Sequence, residues 1–203
     1  MSPLLRLVYG SLVHKDKKMK LTEINFAAMP RTALQVVTAP VSFFKQMAKT
    51  GGFLEPLAFV IIMGTIAGFI QILWIYAGFG YSNASSLGLF AAINFPIAAA
   101  AGSFISAGIT FGIWKLMGSR QNYETAYRCM AYLTVLAPIT ALLSVIPYAG
   151  GIVNMAIFAF YIVIASIQVH NVSSRKAWLV FGSIGIILAV AGLLLEYSAK
   201  HIS

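Results

Sequence analysis

Between Pro56 and Trp114 lie 59 consecutive residues without an Asp, Glu, Lys or Arg. A bilayer's hydrocarbon core is crossed by about 20 helical residues. As one helix this stretch would reach about 90 Å at 1.5 Å per residue, roughly three times the core. It must therefore double back, and the turn reads at Gly78-Phe79-Gly80-Tyr81-Ser82-Asn83-Ala84-Ser85-Ser86. A second uncharged stretch, Cys129 to Ser174, has 46 residues and breaks at Pro147-Tyr148-Ala149-Gly150-Gly151. A last uncharged run covers Ala177–Leu195. Two hairpins and a final helix predict an all-α integral membrane protein of five transmembrane helices. The expected spans are about 57–78, 87–117, 126–146, 152–169 and 177–196. Asn94 and Pro96 are expected to kink or divide the second, and Pro138 lies inside the third.

Composition agrees with this class. The chain is 60% apolar and 9% charged, where soluble domains carry about 25% charged residues. The formal net charge of +9 does not imply nucleic acid here, because basic residues in membrane proteins mark cytoplasmic loops. Eight of the 14 Lys and Arg precede the first span. Three more (Lys115, Arg120, Arg128) follow the second, two (Arg175, Lys176) follow the fourth, and only Lys200 follows the last. The positive-inside rule then places the N-terminus in the cytoplasm and the C-terminus outside. No secretory signal is visible, since the apolar stretch Leu4–Val13 precedes rather than follows its lysines. The N-terminus is expected to stay uncleaved.

Residues 1–30 mix basic and apolar residues without a period and are expected to be poorly ordered, associating with anionic lipid through their lysines. Residues 31–52 form a second segment. Leu34, Val37, Val41, Phe44 and Ala48 fall on one helical face, and Arg31, Gln35, Thr38, Ser42, Lys45 and Lys49 on another. That is an amphipathic helix, firmest from Pro40 to Lys49 and stopped by Gly51-Gly52. It suits either the headgroup plane or the cytoplasmic end of the bundle. Residues 53–203 then make up the membrane domain.

No catalytic constellation appears: there is no HExxH, no Gly-rich phosphate loop and no GxSxG. The five acids, Asp16, Glu23, Glu55, Glu124 and Glu196, all fall outside the middle of spans, which argues against proton-coupled transport. One cysteine, Cys129, excludes an internal disulfide and a multi-Cys metal site, and His170 has no second ligand at usable spacing. No enzyme activity, cofactor or metal is therefore expected. Gly64 and Gly68 in the first span, and Ala98, Gly102 and Ser106 in the second, form small-residue stripes. Such stripes serve close packing within one chain or between copies. Gln71, Asn94, Asn154 and Gln168 are uncharged polar groups in spans that either line a cavity or bond between helices. Glu55, Glu124, Arg128, His170, Asn171 and Arg175 sit at span ends on the cytoplasmic side, a candidate site for a protein partner or a lipid headgroup.

Three motifs resemble the Yip1 domain family. They are TAPVSFFKQM (Thr38–Met47) followed by GGFLEPLAF (Gly51–Phe59), YETAYRCMAYLTVLAPI (Tyr123–Ile139) leading to Pro147, and IQVHNVSSRKAW (Ile167–Trp178). The resemblance covers about residues 36–195. It implies a five-span helical membrane domain with a cytoplasmic N-terminus. In eukaryotes the family is associated with Rab GTPases, vesicle traffic and membrane shaping. The Asp-Leu-Tyr-Gly-Pro signature of those members is replaced here by Phe53-Leu54-Glu55-Pro56, so Rab binding does not carry over and a prokaryotic inner membrane is the expected location. The expected function is a non-enzymatic scaffold that organises membrane or binds a partner, a second copy or lipid. The rival is a passive transporter or channel for a small molecule or lipid.

Overall fold

The computed structural model describes residues 24–79 and 88–201, and among them there is helix and no strand. Most of the basic segment expected to be poorly ordered at 1–30, and most of the turn expected at 78–86, lie outside the described residues. A 3-10 turn at Phe26–Ala28, capped by the Asn25 side chain, leads into α1 (Met29–Thr38) and α2 (Pro40–Gln46). The bundle then consists of α3 (Leu54–Tyr76), α4 (Gly88–Leu116), α5 (Tyr123–Leu133), α6 (Leu136–Leu143) and α7 (Ala149–Gln168). A last helix begins as α8 (Ser174–Ala177), widens into a π turn at Trp178–Gly182 and continues as α9 (Ser183–His201).

Four of these helices are long and apolar enough to span a bilayer: Leu54–Tyr76, Ile93–Leu116, Ala149–Gln168 and Ser174–Ser198. The bent pair α5–α6, turned by 40°, makes a fifth candidate when the two helices are taken as one span. The bend has a local cause. Pro138 has no N–H to give the Thr134 carbonyl four residues back. That oxygen instead accepts from Ala137 N at 2.9 Å, and Thr134 and Val135 make the same tight i→i−3 bonds. The expected single third span is thus two helices. Pro96 does not divide α4, which remains helical through it.

Parallel and antiparallel neighbours follow from their contacts. Glu55 meets Arg128, Phe59 meets Tyr132 and Gln71 meets Ser144, a constant offset of 73 residues, so α3 and α5–α6 run parallel. Gly64 faces Ala99 and Gly68 faces Phe95, so α3 and α4 run antiparallel. Gly185 on α9 approaches Ala159 on α7 while Glu196 reaches Tyr148, again antiparallel. The first hairpin therefore closes on Phe95–Ala99 rather than on the Ala98–Gly102–Ser106 stripe, of which Ala98 and Gly102 are exposed. Outward-facing Ile186, Ile187, Leu188, Leu194 and Leu195 are each more than half exposed, a surface that suits hydrocarbon and not water.

The N-terminal segment departs from its expected form. Ala39 leaves the helical region (φ −140°, ψ 55°), which a following proline disfavours, and Pro40 starts a new helix. One continuous amphipathic helix is therefore replaced by an elbow. Its inward residues are Met29, Val36, Phe44 and Met47, while Leu34 and Val41 are 63% and 49% exposed. α2 rests on α7, and the Tyr161 hydroxyl donates to the Val37 carbonyl at 2.8 Å.

A methyl built on Gly64 would lie 2.7 Å from the Ala99 Cβ, whereas one on Gly108 meets nothing. Gly64→Ala should lower stability to SDS titration by about 1–3 kcal/mol through overpacking. Gly108→Ala should be neutral or slightly stabilising, since alanine is the better helix former. Equal effects of the two would contradict this packing.

Candidate functional site

Three segments meet at one end of the bundle: the 47–53 linker, the 117–122 loop and the 169–173 turn. The first turn of α5 organises the meeting. Asn122 caps it, accepting from Thr125 N at 2.9 Å and from the Thr125 hydroxyl at 2.7 Å. Glu124 stands in that first turn, where a carboxylate is favoured by the helix dipole. One of its oxygens accepts from both Gly51 N and Gly52 N, each at 2.7 Å. Those two amides converge because Gly51 and Gly52 have φ of +133° and +84°, a region that residues with a Cβ rarely enter.

One turn further on, Arg128 is buried at 3% exposure. Its Nε donates to the Ala48 carbonyl at 2.8 Å and Nη1 to the Gly52 carbonyl at 3.0 Å. Nη2 lies 3.4 Å from the Tyr132 hydroxyl and 3.6 Å from a Glu55 carboxylate oxygen. The same Thr125 hydroxyl lies 3.0 Å from the Lys49 carbonyl, so its one proton is shared between that oxygen and Asn122. Thus α5 grips the backbone of the linker through a carboxylate, a hydroxyl and a guanidinium. A buried charge must be paired and hydrogen-bonded to be tolerated; here backbone carbonyls do most of that. Above Arg128 a cleft of about 420 Å³ opens between the elbow and the bundle, lined among others by Gln35, Ser42, Gln46 and Glu55.

His170 forms a separate buried group. Its ring stacks on Trp114 at 3.8 Å, its Nδ1 lies 2.8 Å from Ser119 Oγ, and its Nε2 faces the Cys129 sulfur at 3.9 Å. Trp114 in turn donates to Ser166 at 2.8 Å. Burial, with repulsion from Lys49 and Lys115, lowers the His170 pKa to about 3. Asn171 occupies a left-handed turn position (φ +53°), which Asn adopts more readily than most residues. Arg175 is exposed on α8.

Of the six residues expected at this face, Glu55, Glu124 and Arg128 come together, His170 joins a neighbouring aromatic cluster, and Asn171 and Arg175 lie outside both. Among the described residues the four amides are dispersed. Gln71 donates to Ser144 at 3.0 Å, Asn94 is exposed and Gln168 ends α7. Asn154 alone lines a space of about 430 Å³, together with Gly102 and Ser106. Sequence reasoning missed Asn122, Thr125 and Trp114. The Asn122 cap had a signal, an Asn preceding a first-turn Glu. It also missed that Glu196, at the opposite end, accepts from Tyr148 N at 3.1 Å where α7 begins.

Several long apolar helices, four of them long enough to cross a bilayer, define a multi-pass helical membrane protein. The sequence model of the Yip1 domain matches residues 34–195, most of the chain. The protein belongs to the Yip1 domain family. Among curated proteins and among solved structures nothing matches it.

Two predictions follow from this geometry. Removing Glu124 frees the linker amides, so Glu124→Ala should speed tryptic cleavage after Lys49 at least severalfold, while Arg128→Met, which strands carbonyls and Glu55, should cost about 3 kcal/mol or more. Unchanged cleavage would refute the grip. The second concerns pH. An unfolded histidine titrates near 6.5, so between about 6.5 and 3 the unfolded chain takes up a proton that the folded chain refuses. The His170 contribution is therefore complete above about 6.5 and is lost as pH falls toward 3. The unfolding midpoint of His170→Gln should vary less over that interval than that of the parent, and equal slopes would contradict the burial argument.

Proposed function

We propose that this Yip1 domain protein is a non-enzymatic organiser of the inner membrane, with its N-terminus and basic end cytoplasmic and its C-terminus outside. On this reading the α1–α2 elbow lies in the headgroup layer and binds lipid or a membrane partner.

One observation carries the reading: the two flanks of α1 differ in chemistry. On one side Met29, Pro30, Ala33, Leu34 and Val37 border an apolar groove of about 600 Å³, completed by Ile62, Ile66, Val135 and Ile139 from the spans. On the other side Thr32, Gln35 and Ala39 border the polar cleft above Arg128. A helix at the boundary of hydrocarbon and water needs that division. Exposed Phe26, Leu34 and Val41 supply apolar surface for the acyl side, while Arg31, Lys45 and Lys49 are exposed cations that attract anionic lipid.

The titratable groups favour a structural rather than a catalytic role. Glu124 and Arg128 are engaged with backbone, and His170 and Cys129 are buried beside Trp114. Dispersal of Gln71, Asn94, Asn154 and Gln168 weighs against a polar path through the bundle, and so against the passive-transport alternative.

The lone Cys129 is fully buried, so introduced cysteines can be read in the native background. An impermeant thiol reagent applied to intact cells should label Lys200→Cys and spare Arg120→Cys and Arg175→Cys. The opposite pattern would reverse the orientation. In vesicles, a lipid-borne quencher should reach a fluorophore at Leu34 as well as one in the headgroup layer. No quenching there would remove the elbow from the interface.

A further inference from the structure

The polar cleft has a donor and acceptor pattern more specific than a generic basic face. A guanidinium carries five N–H donors. In Arg128, three are directed at Ala48 O, Gly52 O and the Tyr132 hydroxyl. The contact to Glu55 is 3.6 Å, too long for a hydrogen bond. Glu55 is 46% exposed and accepts no hydrogen bond among the described residues, and both side chains line the same cleft. The site therefore sets a guanidinium with two N–H groups not used in hydrogen bonds beside a half-exposed carboxylate that it meets only in a long ion pair.

We propose that this cleft holds the headgroup of a zwitterionic glycerophospholipid, its phosphate at Arg128 and its primary amine at Glu55. The proposal rests on the reading that this end of the bundle lies in a headgroup layer. Charge decides the class. The lining contains one cation and one carboxylate and is neutral, while Lys45 and Lys49 stand nearby but outside it. A net anionic headgroup would set an uncompensated charge beside Glu55. A quaternary amine would have no N–H to give it. A phosphate ester of a primary-amine alcohol matches both partners, since guanidinium–phosphate and ammonium–carboxylate bonds are the strong charge-assisted kind. Gln35, Ser42 and Gln46 add polar groups for the remaining ester oxygens, and the Phe43 ring forms an apolar wall for the glycerol end. A volume of about 420 Å³ falls within the roughly 300–1,000 Å³ of small-ligand sites. The lipid is favoured over the free phosphoamine because the cleft stands where the spans α3 and α5 begin, at the level at which headgroups reside.

The test uses the full chain purified in detergent, titrated with phosphatidylethanolamine, phosphatidylglycerol or phosphatidylcholine and read by native mass spectrometry and thermal shift. Phosphatidylethanolamine should bind at least tenfold more tightly than the other two. Glu55→Gln, which leaves the linker grip intact, should abolish that preference while leaving the weaker phosphatidylglycerol binding unchanged. Equal binding of the three lipids, or a preference that survives Glu55→Gln, would overturn the proposal. Competition by soluble phosphoethanolamine at the same concentration as the lipid would overturn the lipid assignment. The underlying reading is checked separately, by lipid-borne quenching of a fluorophore at Gln35 in nanodiscs. Failure of quenching would remove the headgroup location even if the detergent titration succeeded.

Discussion

A guanidinium taken out of water cannot stay unpaired, and Arg128 satisfies that requirement with the backbone of a segment distant in sequence. Its bonds to Ala48 and Gly52, with those of Glu124 and Thr125, fix where the N-terminal elbow sits on the bundle. The cleft exists because the elbow is held just above Arg128. The apolar groove exists because α1 then lies across the seam of α3 and α6. One buried charge thereby couples the apolar helices of the bundle to the N-terminal elbow.

The other governing constraint is hydrocarbon. With no water to bond to, backbone groups in the bilayer must be satisfied within helices, and polar departures are confined to places with a local partner. The α5–α6 bend shows this: the carbonyl that Pro138 cannot satisfy is taken by Ala137. The far end shows it as well, where Glu196 accepts the Tyr148 amide. Stability in lipid comes less from hydrophobic burial than from close packing, which is why Gly64 and Gly68 sit against Ala99 and Phe95.

The spanning helices were legible because the bilayer imposes a length on uncharged runs, and Pro56–Trp114 exceeds that length too far to be one helix. The bend at Thr134 was only half legible: Pro138 was visible, but Pro96 stands inside the continuous α4 whereas Pro138 stands in the first turn of α6, just after a break. The phase of the N-terminal segment was misleading. The apolar face read from spacing is split in the structure, with Val36 and Phe44 buried while Leu34 and Val41 are exposed, and Ala39 breaks the helix between them. At the candidate site Glu55, Glu124 and Arg128 could be named from their positions at span ends. Their partners could not, because backbone carbonyls and amides of Ala48, Gly51 and Gly52 leave no mark in the sequence.

The grip of α5 on the linker is open to direct measurement by amide hydrogen exchange of the full chain in lipid nanodiscs. The Gly51 and Gly52 amides, bonded to Glu124, should be protected to a degree comparable with amides inside α5, in a segment that otherwise has no helical bonds of its own. Exchange of both glycines at the rate of a free loop would mean that the elbow is not anchored, and the account of the cleft and groove would fall with it.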